Sequence, residues 1–422
     1  MAGLGTRHAP SFRLISAHFA LGLVGMLGFA AALLWRGAAV EGHFFQPTLL
    51  GLTHLCVLGW LLPVAIGAMH QLIPVVFEVP VRSERLAWLA FALYLPGALG
   101  FMTRLWAFDL GWLFIVSAGL LAAAIILYTV NLLATLARAS HVSLTGAYVI
   151  AALGYLVLAA CLGFALAYNL HRPYLYIDHV RVLRAHAHAA GLGFFGLLVM
   201  GVAYRLLEMF LLSHVSALGL GWLALGALNL ALAALLTNFV FGQVAVLTWC
   251  GVAAALVGVV AFLLQVRRLY RARIKRSTDA AWLHSLASFG YLALAAAVGA
   301  AIALAGLPAA LRQRLELGYA VLFLPGFVGS IVVGQLYKIV PFLIWFHRFS
   351  AYVGLKKVPS ASELLAPRPQ WAQLGLMHAG LALLAAGVVA PSAPLRLGGA
   401  LLFAASAALH ARNLGVLYRR RP

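Results

Sequence analysis

His54-Leu-Cys-Val-Leu-Gly59, followed by Gly67-Ala-Met-His-Gln-Leu-Ile-Pro74, returns in outline twice further along the chain. The second copy reads His188-x4-Gly193 and Gly201-Val-Ala-Tyr-Arg-Leu-Leu-Glu208, and the third reads Val321-x4-Gly326 and Gly334-Gln-Leu-Tyr-Lys-Ile-Val-Pro341. In each copy 13 residues lead from the first position to the second glycine and 7 more to the last residue. The copies stand 134 and 133 residues apart, about one third of a 422-residue chain. Spacing kept at several positions marks a structural repeat rather than the general likeness of glycine-rich membrane helices.

The surrounding composition says what kind of unit repeats. Hydrophobic residues make up 64% of the chain and charged residues only 9%, where soluble domains carry about 25% charge. That excludes a water-soluble domain, a disordered chain and a nucleic-acid-binding module. A helix needs roughly 20 apolar residues to cross a bilayer. Stretches of this kind lie near 13–35, 47–76, 86–106, 109–136, 145–169, 182–212, 217–240, 243–266, 280–306, 316–346, 371–391 and 395–417. The repeated motifs fall on the second, sixth and tenth. The expected fold is an all-α membrane protein, a single transmembrane domain of twelve helices. Its three four-helix units (about 13–140, 141–275 and 276–417) would be arranged with pseudo-threefold symmetry about an axis normal to the membrane. The first apolar run is long enough to span and be retained, so no cleavable signal is expected. Cys56, Cys161 and Cys250 lie in apolar runs at spacings that exclude a disulfide framework.

The formal charge of +20 resides in the loops. Twenty Lys and Arg residues fall on the side that holds the N-terminus and seven on the other (Arg36, Arg172, Arg181, Arg184, Arg312, Arg314 and Arg396). The positive-inside rule therefore predicts cytoplasmic N- and C-termini in a bacterial-type cytoplasmic membrane. The basic run Arg267–Arg276 reads as an anchor on anionic headgroups. The expected partners are the lipid bilayer and a redox partner or additional subunit, with no nucleic acid.

Twelve helices, three four-helix units and histidines on the second and sixth helices resemble subunit I of the haem-copper oxidase superfamily. Thr53-His54-x4-Gly59-Trp60, Gly67-x4-Leu72-Ile73-Pro74, Ala185-His186-Ala187-His188 and Gly201-x2-Tyr204-Arg205-Leu206-Leu207 are similar to its divergent short members. These include NnrS-type or oxidase-subunit-I-like membrane proteins, the former linked to nitric oxide tolerance. The resemblance implies haem, with copper as a further metal. The chain also departs from the pattern. In the oxygen- and nitric-oxide-reducing members a His-x-His pair on the tenth helix holds both haems, whereas here Gly318-Tyr-Ala-Val-Leu-Phe-Leu-Pro325 carries no histidine. The two-histidine turn for copper near the seventh helix is replaced by residues 236–243, again without histidine. The usual binuclear centre is thus not expected, and oxygen reduction and proton pumping do not carry over.

Fifteen histidines face nine acids, and many of the histidines lie inside spans. Polar groups within a bilayer are costly and tend to be functional or paired, and neutral imidazole is a common haem and metal ligand. His54 and His188 hold equivalent repeat positions, one to two turns below the outer surface. They are the expected axial ligands of a bis-histidine haem b. His186 is the alternative second ligand, pointing about 200° away from His188 on the same helix. A second group, His18, His70, His284, His378 and His410, falls in the cytoplasmic thirds of five spans. Of these, His18, His70, His284 and His378 are candidate ligands for a second haem or a copper ion. Arg172 and Arg184 suit haem propionates, which arginine binds bidentately; His43, His171 and His179 are loop residues that would cover the same face or be solvated. Glu208 is either a proton-relay group or the partner of Arg205. The function expected is electron transfer or the handling of nitric oxide or oxygen, as an oxidoreductase if the chain is an enzyme. The alternative is a metal-free transporter or partner subunit on the same fold.

Overall fold

The computed structural model describes residues 10–37, 40–213, 215, 217–242, 244–276 and 278–421. Arg7, His8, His214 and Gln243 lie outside the described residues. Among the described residues, twelve helices are long and apolar enough to cross a membrane. They are α1 (Phe12–Arg36), α2 (Pro47–Phe77), α3 (Glu84–Ala107), α4 (Trp112–Leu136), α5 (Leu144–His171), α6 (His179–Leu211), α7 (Gly219–Phe241), α8 (Ala245–Arg271), α9 (Ala280–Leu304), α10 (Ala309–Arg348), α11 (Pro367–Val389) and α12 (Ala393–Arg419). The described residues form no strand, only the isolated bridges Ser213–Arg273 and Val353–Lys356. This is the all-helical membrane architecture that the apolar runs predict.

The helices outrun the apolar stretches where charge intervenes. Hydropathy starts the tenth span near 316, but α10 begins at Ala309 and carries Arg312, Arg314 and Glu316 in its first turns. Likewise α8 continues through Arg267 and Arg268 to Arg271. A helix satisfies its own backbone whether lipid or water surrounds it, so hydropathy locates the bilayer crossing and not the helix end.

The three motif-bearing helices differ from the rest. They are the longest, at 31, 33 and 40 residues. Each is interrupted by a π-helical segment: Leu55–Leu61 in α2, Ala189–Gly196 in α6 and Leu322–Gly329 in α10. The segments begin 134 and 133 residues apart, the spacing of the sequence repeat, and each begins directly after the repeat's first residue, His54, His188 or Val321. Such segments shift the register of side chains on a helix and are frequent at functional sites.

By contact density the chain forms two compact units. The first comprises Met1–Leu14, Ile66–Ser277 and Ala293–Leu307. Within it, Asn131 of α4 pairs with the N-cap of α3, accepting from the Ser83 N–H (3.1 Å) and donating to the Ser83 carbonyl (3.0 Å). Thr145 of α5 donates to the Gly201 carbonyl of α6 (3.0 Å), and the Tyr148 hydroxyl donates to the Gly221 carbonyl at the start of α7 (3.0 Å).

The second unit comprises Ile15–Ala65, Thr278–Leu292 and Pro308–Pro422. Here α1 and α2 meet backbone to backbone: a Cβ on Gly25 would lie 1.8 Å from the Gly59 carbonyl oxygen. Trp60, fully buried, packs on Phe29 and Phe403, and its indole edge lies over Gly329 of the π segment in α10. Arg396, counted above among the charges of the side opposite the N-terminus, sits in the first turns of α12, 2% exposed, donating to the Gly387 carbonyl (3.1 Å) and paired with Glu41 (2.9 Å).

The Gly25 contact leaves no room for a side chain, and overpacking of this kind costs about 1–3 kcal/mol. Gly25→Val is expected to lower the thermal stability of the detergent-solubilised protein. Gly28→Ala, where the nearest atom to the new methyl is Leu55 Cδ1 at 3.8 Å, is expected to leave it unchanged; equal behaviour of the two would contradict the close approach.

Candidate functional site

His54, His70 and His188 share one arrangement. In each, the ring nitrogen Nδ1 lies within hydrogen-bond distance of the carbonyl one turn earlier: Leu50 (2.8 Å), Ile66 (2.9 Å) and Arg184 (2.8 Å). A carbonyl only accepts, so Nδ1 carries the proton and the lone pair sits on Nε2. This is how ligating histidines are commonly oriented: a backbone acceptor on one nitrogen fixes the tautomer and the ring plane for a metal at the other.

The three rings lie in different settings. His54 belongs to the second unit and stands at the junction of α-helix and π segment in α2. His188 belongs to the first unit, stands at the matching junction in α6 and leans on Phe239 of α7, ring centroids 4.9 Å apart. His70 is fully buried in the first unit, edge to face with Tyr128 of α4 at 5.8 Å. His186 behaves differently. Its Nδ1 donates to the Ala159 carbonyl on α5 (2.9 Å), and its ring lies against Gly163, where a Cβ would come within 2.9 Å of it. So His186 faces α5 while His188 faces α7, the divergence expected of residues two apart on a helix.

Arg184 contributes its carbonyl to His188 and is half-buried; Arg172 is exposed at the end of α5. Arg181 is tied down, donating to the Phe239 and Val240 carbonyls (3.0 and 3.3 Å). The loop histidines make local bonds: His43 accepts from the Phe45 N–H (3.1 Å), His171 donates to the Leu110 carbonyl (2.7 Å) and His179 accepts from Asn169 (3.0 Å). Glu208 lies 3.7 Å from Arg205, its neighbour one turn away, which is the pairing alternative. Lys338, at the position equivalent to Arg205, forms an ion pair with Asp279 ahead of α9.

The second unit also assembles a polar cluster in which His284 and His378 meet. His378 Nε2 lies 3.2 Å from His284 Nδ1, and the Tyr291 hydroxyl lies 3.2 Å from His378 Nδ1. His284 Nε2 lies 2.9 Å from Gln373 Oε1, and Gln373 Nε2 donates to Ser406 (2.9 Å). Tyr337 stands beside this chain, 6.3 Å from the His284 ring and 4.8 Å from the His410 ring, with its hydroxyl held by Asn413 (3.0 Å). His284, Gln373, Ser406 and His410 are completely buried. His18 is buried on α1 in the same unit, and His70 belongs to the other unit. Sequence reasoning missed Tyr291, Gln373, Ser406 and Asn413. The available signal was amide and hydroxyl side chains within otherwise apolar spans, a weaker mark than imidazole. Among the described residues no group of three or more His, Cys, Asp or Glu side chains is arranged to hold a metal ion.

Gln373 is the hinge of the cluster, since it satisfies an imidazole on one side and a hydroxyl on the other. Leaving a buried donor unpaired costs about 1–3 kcal/mol. Gln373→Leu is therefore expected to destabilise the solubilised protein by roughly 2–4 kcal/mol in denaturant titration. Gln370→Leu, three residues away and partly exposed, should change stability by less than about 0.5 kcal/mol.

No protein-family model matches the sequence, and no curated protein does. Solved structures do match in fold. A heme-copper terminal oxidase, determined as a dimer by cryo-electron microscopy, is 12% identical to the chain with a TM-score of 0.65, over 99% of this chain and 84% of that one. Shared architecture over nearly the whole length, at that identity, establishes a fold like that of a heme-copper terminal oxidase.

Proposed function

We propose that the chain is a haem-bearing redox protein of the membrane, in which His54 of α2 and His188 of α6 are haem-ligating histidines. The observation that carries this reading is the matched setting of the two rings. Both have Nδ1 bound to a carbonyl four residues back, both present the Nε2 lone pair, and both directly precede a π segment of the sequence repeat. The donor set suits the group: two neutral imidazoles in fixed tautomers with backbone acceptors behind them. A haem held this way supplies a one-electron couple. The residues' own part is to hold the imidazoles neutral and oriented, with Phe239 fixing the plane of His188. Arg184 and Arg172 would bind the propionate carboxylates.

His186 serves as a brace between α5 and α6 in this reading rather than as a ligand. The third repeat has Val321 where the other two have histidine. Electron transfer, or interaction with nitric oxide or oxygen at the haem, is accordingly favoured over oxygen reduction at a haem-copper pair. The N- and C-termini are taken as cytoplasmic from the loop charge, and a redox partner or further subunit would deliver the electrons.

Purified from a host supplied with haem, the protein should show a Soret band and bis-histidine low-spin signals. His54→Ala and His188→Ala should each reduce haem occupancy more than tenfold, while His186→Ala should leave the spectrum in place. A colourless wild-type protein would sink the reading in favour of a metal-free transporter or partner subunit.

A further inference from the structure

The outer face of α8, in the first unit, runs without a break into the basic segment that follows the helix. Gly251, Gly258, Phe262, Gln265 and Leu269 turn inward, the two glycines against Leu235 and Leu228 of α7. The opposite face presents Val257, Val260 and Leu264 and then Arg267, Arg268 and Arg271, all six exposed. Steps of three and four residues keep them on one side of the helix. From Val257 to Arg268 the stripe is about 16 Å long, at a rise of ~1.5 Å per residue. One leaflet of the hydrocarbon core has that depth, half of about 30 Å.

The basic segment is tied to the end of α6. The N–H groups of Ile274 and Lys275 both donate to the Leu211 carbonyl (3.2 and 3.1 Å), and Ser213 bridges to Arg273. The Arg273 guanidinium lies over the Tyr270 ring (3.7 Å) and donates to the Tyr270 carbonyl (2.8 Å). Leu212 turns the chain at a φ of 51°. These contacts make a corner on which two large apolar side chains, Leu212 (52%) and Ile274 (68%), stand exposed at the end of the arginine-bearing turns. Water disfavours the apolar half of that surface, whereas a membrane interface accepts both halves at once. Little within the chain offsets the charge: no acid occurs between Glu208 and Asp279, and Glu208 lies beside Arg205.

We propose that this corner seats one anionic phospholipid, a phosphodiester not neutralised by a headgroup amine, with its acyl chains along Val257, Val260 and Leu264 and its phosphate on Arg267, Arg268 and Arg271. The occupant follows from the order of the stripe. A free phosphate or an acidic protein would use the cations and leave the apolar residues idle. A phospholipid carries an apolar chain and a negative charge joined end to end, in the sequence and over the length that the helix face displays. Guanidinium groups bind phosphate oxygens bidentately and are more weakly hydrated than ammonium groups, and their stems extend the apolar surface. Leu212 and Ile274 lie against the lipid where chain gives way to headgroup. A general attraction of basic residues to anionic headgroups would fix neither place nor stoichiometry; this surface fixes both. The seat rests on α6 and α8 and is independent of the haem reading.

The test is native mass spectrometry of the detergent-purified full chain titrated with phosphatidylglycerol, with phosphatidylcholine of the same acyl chains, with inorganic phosphate and with a poly-glutamate peptide. One equivalent of phosphatidylglycerol should be retained at least tenfold more tightly than phosphatidylcholine. Arg267→Gln, Arg268→Gln and Arg271→Gln should each weaken it about fivefold, the effect of one basic residue near an anionic surface. Ile274→Gln should weaken both lipids by the same factor. Arg419→Gln/Arg420→Gln/Arg421→Gln removes three exposed arginines of the second unit and should bind as the wild type does. All of these positions except Arg421 of the control lie on or next to helices but are exposed, so the melting temperature without added lipid should be that of the wild type. Equal affinity for the two lipids, a loss in the second-unit control as large as that in the α8 variants, or tighter binding of inorganic phosphate or the peptide at the same arginines would each overturn the proposal. A Soret band, present or absent, bears on none of these outcomes, so this proposal and the haem reading fail separately.

Discussion

Lipid offers no hydrogen bonds, so every polar group carried into the bilayer must find its partner within the protein. In this chain that constraint decides the form of several buried imidazoles. Three histidines meet it with the carbonyl of their own preceding turn, which has a lone pair to spare beyond the helical bond. A single contact thereby sets tautomer, ring direction and the identity of the remaining acceptor nitrogen. Where a histidine instead meets its neighbours, as His284 does, its tautomer is set through Gln373 by the direction of one serine hydroxyl.

The same constraint shapes the helices that carry these residues. A π segment places an extra residue in the turn and re-aims everything beyond it without leaving helical backbone, which lipid would not tolerate. In α2 and α6 the re-aiming happens immediately after His54 and His188, and in α10 immediately after Val321. Backbone geometry has therefore been kept in the third copy although its imidazole has not. Around the segments the helices compensate with small residues: Gly59 admits α1 to contact, and Gly329 admits the Trp60 indole. Packing of this kind holds membrane helices together where hydrophobic burial distinguishes poorly between lipid and protein.

Much of this is legible in the sequence, and the reason is physical. Span positions follow from apolar length, because the bilayer imposes it. The repeat is visible because the π segments need the same small residues at the same places, and the turn-back carbonyl of His54 or His188 is a local contact, four residues away. What could not be read is whatever depends on contacts far apart in the chain. Gln373 meets His284 across 89 residues and Tyr291 meets His378 across 87, and an isolated glutamine in an apolar run gives no hint of which imidazole it serves. The burial of Arg396 depends on such contacts too: Glu41, 355 residues earlier, and the Gly387 carbonyl satisfy its guanidinium inside a helix.

His54 and His188 have matched settings, yet their neighbours are unlike. His188 has an aromatic ring against it and an arginine supplying its carbonyl; the carbonyl behind His54 comes from Leu50. A cation close to one imidazole and not to the other makes the two rings electrostatically unequal. For the proposed haem redox role, positive charge near a ligand would favour the reduced form, whose net charge is lower. The excess of positive charge over the chain, +20 overall, acts in the same direction. Polar groups in the bilayer tend to be functional or paired, and in this chain they are mostly imidazoles rather than acids.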